Sequence, residues 1–422
     1  MSVLIKDVLV SGRETNIYIE DNLIAEIGGP VVEAEHVLEG KNKAAIPGLI
    51  NTHTHAAMSL LRSYADDFPL QEWLTNNIWP IEANLTKDDI YWGTKLACLE
   101  MIRSGTTCFN DMYFHGEIAA KAVHEMGIRG VLSEVFFDLF DETKGKKGRE
   151  KVKRGIAELK EFKSGRIIPA LGPHATYTVS GEGLSWISEF ANKNDLLIHF
   201  HLAETEPEVE DFIEKHGARP VEYLEKLGFL GENLVCAHCV WLDKRDIHTL
   251  AKHKVKISYN PVSNMKLAVG NMLHYRDLKD AGCVVSLGTD GCASNNNLDM
   301  FESMKFAALA QKLFSDDPTI MPAREAFDLA TKSGALTLGL SAGEIAEGLL
   351  ADVVLLDLKK PCFAPNHNLT ANIVYSANGS CVDTVICDGR ILMRDGRVEG
   401  EDEIMESACQ VAEDLVLRSK KG

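Results

Sequence analysis

Residues 44–67 read AAIPGLINTHTHAAMSLLRSYADD, an apolar run that ends in two histidines one residue apart. In an extended strand alternate side chains share a face, so His53 and His55 project together while Thr54 points the other way. Two imidazoles on one face are half of a metal site. Taken alone, so short a pattern favours the plainer account of two partly exposed histidines at a strand end, and the rest of the chain has to decide.

Working outward, the same texture recurs seven times: TTCFNDMY (106–113), RGVLSEVF (129–136), RIIPALGPHA (166–175), LLIHFHLAE (196–204), LVCAHCVW (234–241), VKISYNPVSN (255–264) and VVSLGTDG (284–291). Between them lie stretches of helical periodicity such as EVEDFIEKHGARPVEYLEKLG (208–228). Eight strands alternating with helices predict an α/β fold, a (β/α)8 barrel with insertions, over residues 48–348. A doubly wound sheet is the competing topology, but no Gly-x-Gly-x-x-Gly turn follows the first strand.

The two ends of the chain have a different character. VLIKDVLV, TNIYIED and LIAEIG near the start, and LLADVVLLDL and VDTVICDGRILMRDGRVEG after residue 349, read as short strands, with Asp-Gly turns suited to hairpins. Residues 1–47 and 349–400 are therefore expected to build one small β domain, a sandwich made from both termini. In the tail 401–422, Ile404, Met405, Ala408, Val411, Ala412 and Leu415 recur at helical spacing, which predicts a terminal amphipathic helix.

Composition narrows the function. The 422 residues are 45% hydrophobic and carry 44 basic against 62 acidic groups, a net charge of -18 that disfavours nucleic acid as a partner. The basic stretch KGKKGREKVKR (144–154) is short and free of aromatics, and reads as a solvated helix start. The start of the chain lacks the pattern of a signal peptide and no apolar run is long enough for a membrane span, so a cytoplasmic location is expected. The ten cysteines follow no framework spacing and are expected as reduced thiols; Cys236 and Cys239 have no second pair to complete a zinc knuckle.

Barrel enzymes place reacting groups at the C-terminal ends of their strands. Here those ends carry His53 and His55 (first), His174 (fourth), His201 and, three residues on, Glu204 (fifth), His238 (sixth) and Asp290 (eighth). A single histidine at a strand end is usually just a hydrogen-bonding group, but chance does not readily fill so many mouths with imidazole and carboxylate. Three histidines and an aspartate suit zinc or iron(II), with a position left for water. Of the HFH pair, His201 lies nearer the mouth and is the candidate ligand; His199 is assigned to the deeper core.

PGLINTHTHAAMSLLRSYADD, HFHLAET, AHCVWLD, YNPVSNMKLAVG and SLGTDGCASNNNLDM together resemble the amidohydrolase superfamily. Within it they resemble the branch that deaminates 5′-deoxyadenosine, 5′-methylthioadenosine, S-adenosylhomocysteine and adenosine, a role in recycling by-products of S-adenosylmethionine. The resemblance implies His53, His55, His201 and Asp290 as metal ligands, and one divalent metal per chain, zinc before iron(II), since RIIPALGPHA lacks the bridging lysine of two-metal members. It also implies a small nucleoside as substrate and a homo-oligomer, dimer or tetramer.

Roles follow from the same resemblance and from the chemistry of deamination, in which water attacks C6, N1 gains a proton and ammonia leaves. Asp290 would accept the water proton, Glu204 would shuttle a proton to N1, and His238 would orient the nucleophile. Glu82 of WPIEAN would bind the ribose hydroxyls, His174 would contact the nucleoside, and Ser294 is a candidate purine contact or a loop cap. Bacterial members that accept S-adenosylhomocysteine carry an arginine near the end of strand three, where this chain has Glu134; an acid there would repel the amino acid tail and favour compact 5′ groups. Guanine deaminases and triazine hydrolases share much of the pattern and are the alternatives within enzymes. A metal-free oligomeric scaffold is a more distant one, disfavoured because every ligand position is filled.

Overall fold

The computed structural model describes residues 1–420. Strands β1 (Ser2–Val10), β2 (Arg13–Glu20) and β3 (Leu23–Ile27) pair antiparallel in sequence, β4 (His36–Glu39) runs parallel to β1, and β5 (Lys43–Pro47) leads into the barrel. Eight strands come next: β6 (Leu49–Thr54), β7 (Thr106–Tyr113), β8 (Arg129–Phe136), β9 (Ile167–Pro173), β10 (Leu197–Leu202), β11 (Leu234–His238), β12 (Lys256–Tyr259) and β13 (Val285–Leu287). Each pairs in parallel with the next, with helices between them. These are the eight runs read from the sequence.

Strands β6 and β7 are buried at every position, which is why they read as continuous apolar runs and not as alternating ones: helices cover one face and the lumen the other. Polar bonds join the last strand to the first. The Asp290 N–H donates to the His53 carbonyl (2.9 Å), the Thr52 hydroxyl donates to the Leu287 carbonyl (2.9 Å), and the Asn51 amide donates to Thr289 Oγ1 (2.7 Å). Inside the lumen Thr52 Oγ1 also lies 2.7 Å from Ser258 Oγ and 2.9 Å from Ser286 Oγ, so buried hydroxyls satisfy one another.

After the barrel, β14 (Val353–Asp357) returns to pair antiparallel with β5, and β15 (Val382–Cys387), β16 (Arg390–Arg394) and β17 (Arg397–Val398) extend the sheet. Both ends of the chain thus share one nine-stranded sheet. Val3, Ile5, Ile17, Ile19 and Ile24 from its first half and Val353, Leu355 and Ile386 from its second share one core. The alternate residues Val354 and Leu356 face the other way, into the core of the barrel.

Local chemistry refines two of the expected helices. The 208–228 segment is two helices, Glu206–His216 and Pro220–Lys226, because Gly217 takes a left-handed turn (φ 67°) and Pro220 starts the next. The terminal helix spans Glu401–Ser419 and buries Ile404, Ala408 and Leu415, while Met405 is exposed. Among the described residues no helix is long and apolar enough to cross a membrane, and all ten cysteines are free.

The two units are clamped at the N-terminal end of the barrel strands. The Arg129 guanidinium, 2% exposed, bonds Asp352 (3.4 Å) and Asp388 (3.1 Å), and Arg166 also reaches Asp388 (3.2 Å). Removing the Arg129 cation leaves the buried Asp352 carboxylate without a cation, while Asp388 keeps Arg166. Arg129→Ala should therefore lower stability by about 3–5 kcal/mol in denaturant titration; a loss below about 1 kcal/mol would show that the clamp carries little of the contact between the units.

Candidate metal centre and substrate cavity

The C-terminal ends of the barrel strands open into a cavity of about 520 Å³. At the strand ends Asp290 Oδ1 lies 3.4 Å from His53 Nε2 and 3.3 Å from His55 Nε2, and His55 Nε2 lies 3.4 Å from His201 Nε2. The structure brings all four together. Each imidazole is held through its other nitrogen: His55 Nδ1 by the Met112 carbonyl (2.6 Å), His201 Nδ1 by the His174 carbonyl (2.9 Å), and His53 Nδ1 by His199 Nε2 (2.7 Å). A carbonyl accepts only from a protonated nitrogen, so the Nε2 lone pairs of His55 and His201 point at the common centre.

The fit to a cation can be tested on these atoms. His53 Nε2 is buried with no hydrogen-bond partner, an orphan that a metal would satisfy, and burial keeps His53 and His201 in the neutral form a ligand needs. Three imidazole nitrogens and a carboxylate are a donor set for zinc or iron(II). His53, His201 and His238 form a second group of donors within 4.8 Å of one another, so His238 borders the same centre. Its Nδ1 lies 2.9 Å from the Asn264 amide and 3.6 Å from Glu204 Oε1, and burial lowers its pKa to about 3.

The two acids of the centre are shifted in opposite directions. Asp290 is buried, which by itself would raise its pKa, yet the close approach of His53 (3.4 Å) and the neighbouring imidazoles hold it well below the ordinary value. Its Oδ2 accepts from Ser263 (2.6 Å) and Ser294 (2.9 Å), so Ser294 spends its proton on the carboxylate. Glu204 is raised well above its ordinary value, first by burial and then by Asp290 and Glu208. Glu208 accepts from the backbone N–H groups of Ala203 (3.1 Å) and Glu204 (2.8 Å), which fixes the loop. Ala203, His238 and Asp290 all adopt left-handed backbone (φ 50°, 69° and 63°), a conformation held by the surrounding structure.

Farther out, Glu82 and His174 line the cavity. Glu82 Oε1 accepts from the Tyr113 hydroxyl (2.7 Å) and burial raises its pKa to about 6; His174 Nδ1 is 3.0 Å from Thr178 Oγ1, and burial lowers its pKa to about 4. Trp73, Leu74, Trp79, Phe114, Phe137 and Leu139 make much of the remaining wall apolar.

Glu134 does not join them. Strand β8 alternates, and since Val135 lines the cavity, Glu134 faces the surrounding helices. A Cβ on Gly155 would lie 2.3 Å from its carboxyl carbon, and one on Gly116 2.8 Å from Oε1, so two helical glycines make room for it. The repulsion expected between this acid and a substrate tail therefore has no geometric basis. The charged side chain at that side of the cavity is Lys151, from the basic stretch that otherwise lies in a solvated helix.

His199 is buried, as a core residue would be, but it also contacts a candidate ligand. Sequence reasoning missed that role, along with Ser263, Asn264, Tyr113 and Glu208. Ser263 and Asn264 end the seventh run and Tyr113 ends the second, so the strand-end rule could have found those three. The wall contributed by residues 70–85 had no such signal, because it belongs to an insertion outside the barrel period.

The Amidohydrolase family profile matches residues 44–392. A 5′-deoxyadenosine deaminase of Methanoregula boonei is 49% identical over 99% of this chain and 96% of its own. A 5-methylthioadenosine/S-adenosylhomocysteine deaminase of Archaeoglobus fulgidus is 49% identical over 95% of each chain. Among solved structures, a zinc-bound adenosine deaminase from Xanthomonas campestris superposes with a TM-score of 0.93 at 30% identity, covering 100% of this chain and 99% of its own. With the profile spanning the barrel and the strands on either side, and relatives matching nearly end to end, this chain belongs to the amidohydrolase family.

Proposed function

We propose that the protein hydrolyses the adenine amino group of adenosine-type nucleosides, 5′-deoxyadenosine and 5′-methylthioadenosine among them, giving the inosine analogue and ammonia in the cytoplasm. The observation that carries this reading is the placing of Glu204 and Asp290, whose pKa values are shifted in opposite directions, beside one histidine cluster in a cavity that also holds Glu82. The relatives at 49% identity support the nucleoside over guanine or a triazine. A divalent ion, zinc before iron(II) and one per chain, held by His53, His55, His201 and Asp290, would supply a Lewis acid that brings the pKa of a bound water to about 7.

The side chains divide the remaining work. Asp290 accepts the proton of the attacking water, its second oxygen being occupied by Ser263 and Ser294. Glu204 gives its proton to N1 of the ring, and a carboxyl whose pKa burial raises is suited to that donation. His238, held beside the Asn264 amide, stays neutral and orients the nucleophile. Glu82 accepts from the ribose hydroxyls while Tyr113 fixes its carboxylate. The apolar wall excludes water and suits an unsubstituted or methylthio 5′ carbon.

Ammonia release across adenosine, its 5′-modified forms and guanine tests the whole reading: turnover of guanine without turnover of any nucleoside would overturn it. Elemental analysis should find one equivalent of divalent metal per chain. His201→Ala should lose that metal, whereas His199→Ala should keep the site and weaken metal affinity about 10- to 100-fold, the usual effect of removing a group that orients a ligand; unchanged affinity in His199→Ala would return His199 to packing alone.

Glu204→Gln should retain the metal and lose about 100- to 10,000-fold in kcat, since the amide fills the space but cannot deliver a proton. A near-native rate would remove Glu204 from the proton path. Glu82→Ala should raise KM for nucleosides, with no change expected if the ribose lies elsewhere. Lys151→Met should lower kcat/KM for S-adenosylhomocysteine about tenfold more than for 5′-deoxyadenosine, the worth of one charge-assisted bond; equal losses would show that it does not reach the tail.

A further inference from the structure

The helix Met300–Phe314 follows the Asp290 loop and is apolar on two opposite faces. Phe301, Met304, Ala307 and Ala308 are buried in the barrel core. On the far side Phe306, Leu309 and Leu313 are 39%, 44% and 86% exposed. At 3.6 residues per turn these three fall within a sector of about 60°, so they form one stripe. Large apolar side chains clustered on one exposed helix face mark an interaction surface, where single exposed ones would not.

The charges at the two ends of the stripe say what covers it. Lys305 and Asp316 are both exposed, and neither makes an ion pair among the described residues, although the adjacent Asp317 is paired with Arg276. Two such helices laid antiparallel about a two-fold axis near Leu309 set Phe306 of one copy against Leu313 of the other. The same operation brings Lys305 of one copy towards Asp316 of the other, twice. A parallel pairing would instead leave Lys305 and Asp316 about 16 Å apart along the helices, with no charge partner for either. A patch whose charges complement themselves under a two-fold rotation is what an isologous interface requires.

We propose that this face of the helix Met300–Phe314 binds a second copy of the same chain, with the two helices antiparallel about a two-fold axis. None of these side chains belongs to the metal centre or the cavity, so the proposal stands apart from the functional reading.

The test is sedimentation velocity on the full-length, metal-loaded protein across a concentration series, with circular dichroism to confirm folding. The native chain should sediment as a dimer or an even multiple, and Leu309→Glu combined with Leu313→Glu should halve the mass with the helical signal unchanged. Lys305→Glu and Asp316→Lys should each weaken association about tenfold, and the two together should restore it, because only residues that face each other across the axis can exchange charge without loss. A monomeric native chain, or an oligomer unaffected by the two glutamates, overturns the proposal and leaves the face to a different protein. Failure of the double charge exchange to restore association overturns the antiparallel two-fold, and that arm decides the matter even where the apolar variants do not fold.

Discussion

An imidazole can offer its Nε2 lone pair to a shared point only while its Nδ1 is held as a donor, and three imidazoles can do so together only if three acceptors are already in place. Here two of those acceptors are backbone carbonyls, of Met112 at the end of β7 and His174 after β9, and the third group is the His199 ring on β10. The centre is thus built by strands that contribute no ligand as much as by those that do. His53 joins the two roles: its carbonyl accepts from the Asp290 N–H, so the bond that helps close the barrel also delivers the carboxylate to the histidines. Barrel closure and site assembly are one event.

The electrostatics result from that enclosure. Two carboxyl groups are buried close together, and they cannot both ionise cheaply. The one that faces imidazoles and two serine hydroxyls is shifted toward its charged form, and the other toward its protonated form. The two carboxyl groups are therefore set apart by position in the loop geometry, through Glu208 on one side and Ser263 with Ser294 on the other.

Much of this was legible in the sequence for a physical reason. Parallel strands covered on both faces read as continuous apolar runs, and the polar residue that ends each run lies at the mouth, so His53, His55, His201, His238 and Asp290 could be placed by counting. Counting failed where one residue of register matters. Glu134 sits near the end of β8, but alternation turns it toward Gly116 and Gly155 and gives the cavity to Val135. The pattern places Tyr113 at a strand mouth, but its bond to Glu82, which comes from outside the barrel period, exists only after folding. The same holds for the tryptophan-bearing insertion around residues 70–85, whose side chains face the cavity through tertiary packing and not through any period of their own.

The sheet shared by the two chain ends governs the order in which the protein can form. Lys43–Pro47 of β5 pairs with Val353–Asp357 of β14, and the entire barrel is strung between them. As the chain leaves the ribosome, Val3, Ile5, Ile17, Ile19 and Ile24 emerge first, but the Val353, Leu355 and Ile386 side chains that share their core are made last. Until then one side of β5 has no strand beside it, and an open edge next to an uncovered apolar face invites pairing with other nascent chains. The amino-terminal strands must therefore wait through the synthesis of the whole barrel. A chain cut short just before β14 would keep every candidate metal ligand and still be the species most prone to aggregate.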